Sequence, residues 1–290
     1  MKRGLIAWDK SEIPPPVFDA RLAIVRQELA ARDLPALVVY TDVWRSNQGR
    51  YLANFMPYWN RALLVIPRDG APILLCGLSP RVYPWIRSVT ILDEIRPSQN
   101  IPQQLKNLCT EEGWTKIGVL DLPLMPGDLV IPNSVDIPWS AIHPGPDEAE
   151  LGMYRHAAKI AREILEAELP SATGLVDREF VARLELKYRR AGIEDLVVLT
   201  TNDATPLPPN GSTLAAGCAA SVAMEYRGHW VKIVRSTGLR SDAPKFERLS
   251  GPYPWEHCVR DDLRAGDIFA MTSTSYGDTY QLTANGPELL

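Results

Sequence analysis

The sequence is poor in the residues that usually announce a function. It holds four cysteines and four histidines in 290 residues. Cys76, Cys109, Cys218 and Cys258 stand far apart with no Cys-x-x-Cys pair, so neither a disulfide framework nor a thiolate zinc site is expected. That spacing suits reduced thiols, and a cytoplasmic setting is the expectation. No apolar stretch approaches the roughly 20 residues that cross a bilayer. The opening MKRGLIAWDK has too few apolar residues before Asp9 and Lys10 for a signal-peptide core. A basic excess is missing too: 31 Lys plus Arg face 35 Asp plus Glu, for a net charge of -4. A mildly acidic chain has no overall attraction to nucleic acid or anionic membrane, and neither is expected as a partner. With Cys and His so scarce, a metal site would have to be built mostly from carboxylates.

Hydrophobic residues make up 46% and charged residues 23%, the usage of a folded globular chain, and the length allows two domains. After the stiff Pro14-Pro15-Pro16 segment, Phe18, Leu22, Val25 and Leu29 recur at helical spacing and predict a helix over 17–32. Ala36 to Tyr40 reads as a buried strand, and 62–66 with 72–75 as a hairpin joined through Asp69-Gly70. Strands are expected over 89–95 and 116–120, with a helix over 101–109 between them. This alternation predicts an α/β layer. Prolines and glycines cluster over 122–146, the best place for a linker.

A long helix is expected next. Asp147, Glu148 and Glu150 suit the positive end of its dipole, and Leu151, Tyr154, Ala158, Ala161 and Leu165 form its apolar face. A second helix over 177–190, a strand over 193–200 and a hairpin over 219–235 turning at Glu225-Tyr226-Arg227-Gly228 follow. Residues 236–258 show little periodicity, and short strands are expected over 267–274 and 279–283. The domains are placed at 1–140 and 141–290.

Three stretches of the second half, DEAELGMYRHAAKIAREILEAEL, GLVDREFVARLELKYRRAGIED and SVAMEYRGHWVKIVRS, resemble the second domain of the pita-bread family. That family contains methionine and Xaa-Pro aminopeptidases, prolidases and creatinase. ALVVYTDVWRSNQGRYLANF and the strand pair around RDGAPILLC resemble the N-terminal domain of creatinase and prolidase. LRAGDIFAMTSTSYGDTYQLTANGPELL resembles the family's closing strands. The resemblance covers nearly the whole chain. It implies an α/β N-terminal creatinase/prolidase-like domain followed by a shortened α+β pita-bread domain. The helix pair that the family carries between the positions of Arg235 and Pro252 is missing.

The family's peptidases hold two metal ions with two Asp, one His and two Glu, and a metal-bridging hydroxide attacks the peptide carbonyl. Ser221 and Lys232 stand at the two Asp positions, Thr272 and Gly277 at the two Glu positions, and the glycine-rich His stretch has no counterpart. The resemblance therefore implies a chain without metal or other cofactor. Creatinase works without metal, through a histidine that follows Leu-Pro. Here Pro206-Leu207-Pro208-Pro209 puts Pro209 at that place, and proline transfers no proton.

The expectation is a binding or pseudo-enzyme subunit, as a homodimer or beside a full-length pita-bread paralogue, with a small-molecule ligand also weighed. The alternative is a metal-independent hydrolase or lyase of a small C–N-bonded compound, with a re-invented site at Ser221, Lys232, His229 and His257. In that reading a desolvated Lys232 serves Ser221 as base. His229, three residues before Lys232, is predicted to point to the other face. Glu256 and His257, adjacent in Trp255-Glu256-His257-Cys258, are predicted to point oppositely. Asp278 matches a family Asp that binds no metal, and Arg235 matches an arginine with a structural ion-pair role. Arg235 is also a candidate substrate contact. So are Trp44, Tyr58 and Trp59 of the first half, which the resemblance places near a partner subunit's cleft.

Overall fold

The computed structural model describes residues 6–203, 205–239, 242–250 and 256–290; Pro252, Trp255 and the first five residues lie outside them. The chain divides into two compact units, one ending at Pro144 and the other running Gly145–Leu290. Among the described residues no helix is long and apolar enough to cross a membrane.

The first unit carries a six-stranded sheet made of β1 (Ala36–Asp42), β2 (Arg61–Pro67), β3 (Ile73–Cys76), β4 (Glu94–Pro97), β5 (Ile117–Leu120) and β6 (Ser134–Ile137). Their order is β4-β3-β2-β1-β5-β6. The β1–β2 and β2–β3 pairs are antiparallel, the others parallel. The helices are α1 (Pro15–Ala31), α2 (Asn47–Ala53), α3 (Tyr83–Val89), α4 (Ile101–Glu111) and α5 (Trp139–Ile142). Strand side chains alternate between faces, so the sheet has two apolar sides. Leu37, Val39, Leu64 and Leu74 pack with Leu22, Val25 and Leu29 of α1. Val38, Leu63, Val65 and Leu75 pack with Leu105 and Leu108 of α4.

Two expectations need correction here. Residues 89–95 are not one strand: Val89 ends α3 and β4 begins at Glu94. The stretch over 122–146 is no simple linker, because β6 within it pairs with β5 at four positions and buries Ile137. Its prolines and glycines serve short 3-10 turns that lead into a strand.

The second unit opens with α6 (Glu148–Glu168) and α7 (Asp177–Arg190). A capping box starts α6: Asp147 Oδ1 accepts from Glu150 N at 2.9 Å and Glu150 Oε2 accepts from Asp147 N at 3.1 Å. The strands are β7 (Asp195–Thr201), β8 (Ala219–Tyr226), β9 (His229–Ser236), β10 (Lys245–Arg248), β11 (Glu256–Cys258), β12 (Ile268–Thr272), β13 (Tyr276–Thr283) and β14 (Gly286–Leu289). They form one sheet in the order β11-β10-β12-β13-β9-β8-β7, with β14 paired to β13. The β8–β9 hairpin turns at Arg227 and Gly228, whose φ values of 51° and 88° are the left-handed pair that a tight primed turn requires. β9 ends at Ser236 and β10 begins at Lys245, too short a connection for a helix pair. β9 meets β13 at two positions only, Arg235–Tyr276 and Val234–Gly277. Beyond them the strands part, and Thr279 Oγ1 fills the gap by accepting from Lys232 N at 2.9 Å and donating to Lys232 O at 3.0 Å.

Candidate functional site

Directly paired residues in an antiparallel sheet share a face, so the register sorts the second unit's side chains. One row runs Leu199, Ser221, Val234, Gly277, Thr272. The row beside it runs Val197, Ala223, Lys232, then through the Thr279 bridge to Ala270, Glu247 and His257. Ser221, Lys232, Thr272 and Gly277 therefore stand on one face. The other face is covered by α6, which His229 and Arg235 meet.

Lys232 Nζ donates to Glu247 Oε2. Their strands are not neighbours, since β13 and β12 lie between them. On a flat sheet three strand spacings would separate them by ~14 Å. Two side chains that meet over that span require the sheet to curve, concave on this face. The floor under the bridge is small: Ala270 and Thr279 are fully buried. The bridge itself is mostly buried, with Lys232 and Glu247 side chains 16% and 9% exposed. Glu247 Oε1 lies 3.8 Å from His257 Nδ1, whose side chain is 81% exposed at the rim.

A pair of divalent ions does not fit these residues. Two hydroxyls, an ammonium and a glycine supply no hard anionic ligand, and the Glu247 carboxylate is already held by Lys232. A side chain at 277 is also blocked, because a Cβ there would lie 2.7–2.9 Å from Cγ2, Cα and Cβ of Thr272. Among the described residues no group of three or more His, Cys, Asp and Glu is placed to hold a metal ion.

The structure separates the residues proposed as a catalytic set. Ser221, Lys232 and His257 share the concave face, but Lys232 is engaged by Glu247 as an ammonium donor rather than poised as a base toward Ser221. His229 points the other way: its Nε2 lies 3.7 Å from Glu150 Oε1, and its ring meets Tyr154 edge-on at 4.8 Å. Glu256 pairs with Arg248 and His257 faces Glu247, on opposite sides of β11. Arg235 lies in an ion-pair cluster on the face toward α6. Its guanidinium holds Asp278 at 2.9 Å, Glu166 at 2.8 Å and Gly277 O at 2.7 Å. Arg162 adds a second cation to the fully buried Asp278, at 3.2 Å. Tyr276 stacks 4.5 Å from Arg235, and a hydrogen bond to Asp278 with burial raises its phenol above the usual range. In the first unit Trp44 and Trp59 are 79% and 63% exposed, whereas Tyr58 packs edge-on to Trp85 at 5.7 Å.

Glu247 and Thr279 complete the concave face and were missed from sequence. The signal for Glu247 was the brief alternation Phe246-Glu247-Arg248-Leu249. A polar cavity of about 130 Å³ lies between the end of β7 and the start of α7, lined by Asp177, Thr200, Asn202, Leu207 and Pro208 among others. Burial would raise the Asp177 carboxyl, but N–H groups of Asn210, Gly211, Arg178 and Ser212 outweigh it and hold the group below the ordinary carboxylate range.

No family model matches the chain, and no curated protein sequence matches it. Solved structures do. The chain is similar to an X-Pro aminopeptidase from Thermotoga maritima at a TM-score of 0.72 and 13% identity, covering 92% of this chain and 96% of that one. An Xaa-Pro dipeptidase from Bacillus anthracis matches at 0.68 and 13%, covering 94% and 97%. The prolidase from Pyrococcus horikoshii matches at 0.68 and 13%, covering 93% and 97%. Identities this low speak for the fold alone, and on that ground the chain has the prolidase-type pita-bread fold, with an α/β unit ahead of a shortened α+β unit.

Proposed function

We propose that this chain is a metal-free binding or pseudo-enzyme subunit built on the Xaa-Pro peptidase fold, working as a homodimer or beside a full-length pita-bread chain. One observation carries the reading: the concave face places the Lys232 ammonium, bound to Glu247, among Ser221, Thr272 and Gly277. A fixed cation there repels a divalent ion, and neutral hydroxyls cannot replace the carboxylates that such an ion needs. Proline at 209 transfers no proton, and Lys232 is engaged by Glu247 rather than turned toward Ser221 as its base.

The test is metal analysis of the purified chain after loading with Mn, Co or Zn, together with an assay for Xaa-Pro dipeptide cleavage. We expect substoichiometric metal and no cleavage. Two equivalents of metal with cleavage would overturn the proposal. Native mass spectrometry of the chain drawn from its own lysate addresses the subunit part, where a dimer or a fixed complex with a larger pita-bread chain is expected. A lone monomer would remove that part.

A further inference from the structure

We infer that the cavity between the end of β7 and the start of α7 binds a short primary alkylammonium ion. This goes beyond the metal-free reading above and does not depend on it, because none of the lining residues belongs to the row of Ser221, Thr272 and Gly277 or to the Lys232 bridge. The cavity holds about 130 Å³. An engineered apolar cavity of about 150 Å³ accepts benzene, so a guest of about two to five heavy atoms has room. Asp177, Thr200 and Leu214 make the inner wall and are 2%, 5% and 3% exposed. Asp203, Thr205, Leu207 and Pro208 are exposed and form the mouth.

A buried hydroxyl and the charge of the wall together choose the guest. The Thr200 hydroxyl hydrogen-bonds no described residue, although the Thr200 backbone N–H and C=O are both paired with Leu207 at 3.0 Å. A buried polar group without a partner is costly, and a donor inside the cavity removes that cost. Asp177 and Asp203 bring two carboxylates, and no Lys, Arg or His lines the cavity among the described residues. Arg178 turns toward Gly211 instead. One Asp177 oxygen accepts from Asn210 N and the other from Gly211 N, each at 2.8 Å, while Ser212 N goes to Asn210 Oδ1 at 3.0 Å. A carboxylate has about four lone-pair sites, so both oxygens keep acceptor capacity. Asp203 Oδ1 accepts from Thr205 N at 2.8 Å and from the Thr201 hydroxyl at 3.1 Å, and its Oδ2 accepts from no described residue. Such a wall repels anions, and a neutral alcohol leaves its charge unanswered. An ammonium supplies one positive charge and three donors. A bare metal ion could take the same oxygens but would leave Leu207, Pro208 and Leu214 uncovered, whereas a short alkyl chain covers them.

The experiment is calorimetric titration of the full chain with methyl-, ethyl-, propyl- and butylammonium chloride at constant ionic strength. Potassium, calcium, propanol and propionate are the controls. Saturable binding of at least one alkylammonium, clearly tighter than that of every control, is the expected result. Thr200→Val removes the hydroxyl and keeps the shape, so it should weaken binding by about tenfold, the loss of one hydrogen bond to a charged group. Its urea midpoint should not fall, because that hydroxyl bonds no described residue. Asp203→Asn, at the exposed mouth, should weaken binding by about threefold. The inference is overturned if no alkylammonium binds, if propanol, propionate or a metal ion binds as tightly, or if Thr200→Val binds as the wild type does. Any of these results leaves the metal-free reading standing, since metal content and dipeptide cleavage alone decide that.

Discussion

Replacing Asp278 with asparagine tests what locks α6 to the sheet. Asp278 has no solvent exposure and accepts from Arg162 Nη1 at 3.2 Å and Arg235 Nη2 at 2.9 Å. Asparagine keeps the shape but turns one of the two accepting ends into a donor, which then faces a guanidinium. Breaking a buried ion pair from one side costs about 3–5 kcal/mol. The Arg162 and Arg235 side chains remain 24% and 11% exposed, so water returns to them in part and the expected loss sits at the lower end, about 3 kcal/mol. Glu166 provides the internal control. It holds the same Arg235 at 2.8 Å but is 52% exposed, so Glu166→Gln should cost under about 1 kcal/mol. Urea unfolding followed by hydrogen exchange of 148–168 and 276–283 reads both variants. Equal losses, or less than about 1 kcal/mol for Asp278→Asn, would refute the assignment of that energy to burial.

Asp177→Asn should cost about 1–3 kcal/mol, since the buried carboxylate collects several backbone N–H groups of the 210–212 loop. Its folded value is depressed, so its contribution is complete above the unfolded value of ~3.9 and fades as pH falls through the folded one. The urea-midpoint gap between wild type and Asp177→Asn should hold from about pH 7 to 5 and shrink below about pH 4; a gap that widens on acidification would contradict this. Gly277→Ala should lose about 1–3 kcal/mol by overpacking against Thr272. Thr272→Ser should rescue it only in part, because Thr272 Cα would still lie 2.8 Å from the new Cβ; full rescue in thermal melts would show that the backbone yields instead.

Long periodic elements were legible in the sequence. The five apolar positions named for α6 are all buried, and α7 and the β8–β9 hairpin fall where their spacing and turn residues put them. Short elements were not. α2 and α3 have seven residues each and β11 only three, too few repeats for either periodicity to stand out. The same limit hid part of the candidate site. Ser221 and Lys232 were visible through their place on a long hairpin. Glu247 sits on a four-residue strand, and nothing local says that its carboxylate reaches across two other strands to Lys232. That contact depends on sheet curvature, which arises only once all the strands are assembled. Thr279 escaped for a related reason, since its hydroxyl stands in for backbone bonds only where β9 and β13 part.

The two-position seam between β9 and β13 also bears on how the second unit comes together in time. The strands β7, β8 and β9 pair in sequence order, as do β12, β13 and β14 among themselves. Joining the two blocks closes the long loop between Val234 and Gly277, an entropic cost met before the seam's few bonds return anything. The blocks should therefore form early and the seam late. Substitutions at Asp278 and Thr279 would then leave the refolding rate nearly untouched and mainly speed unfolding.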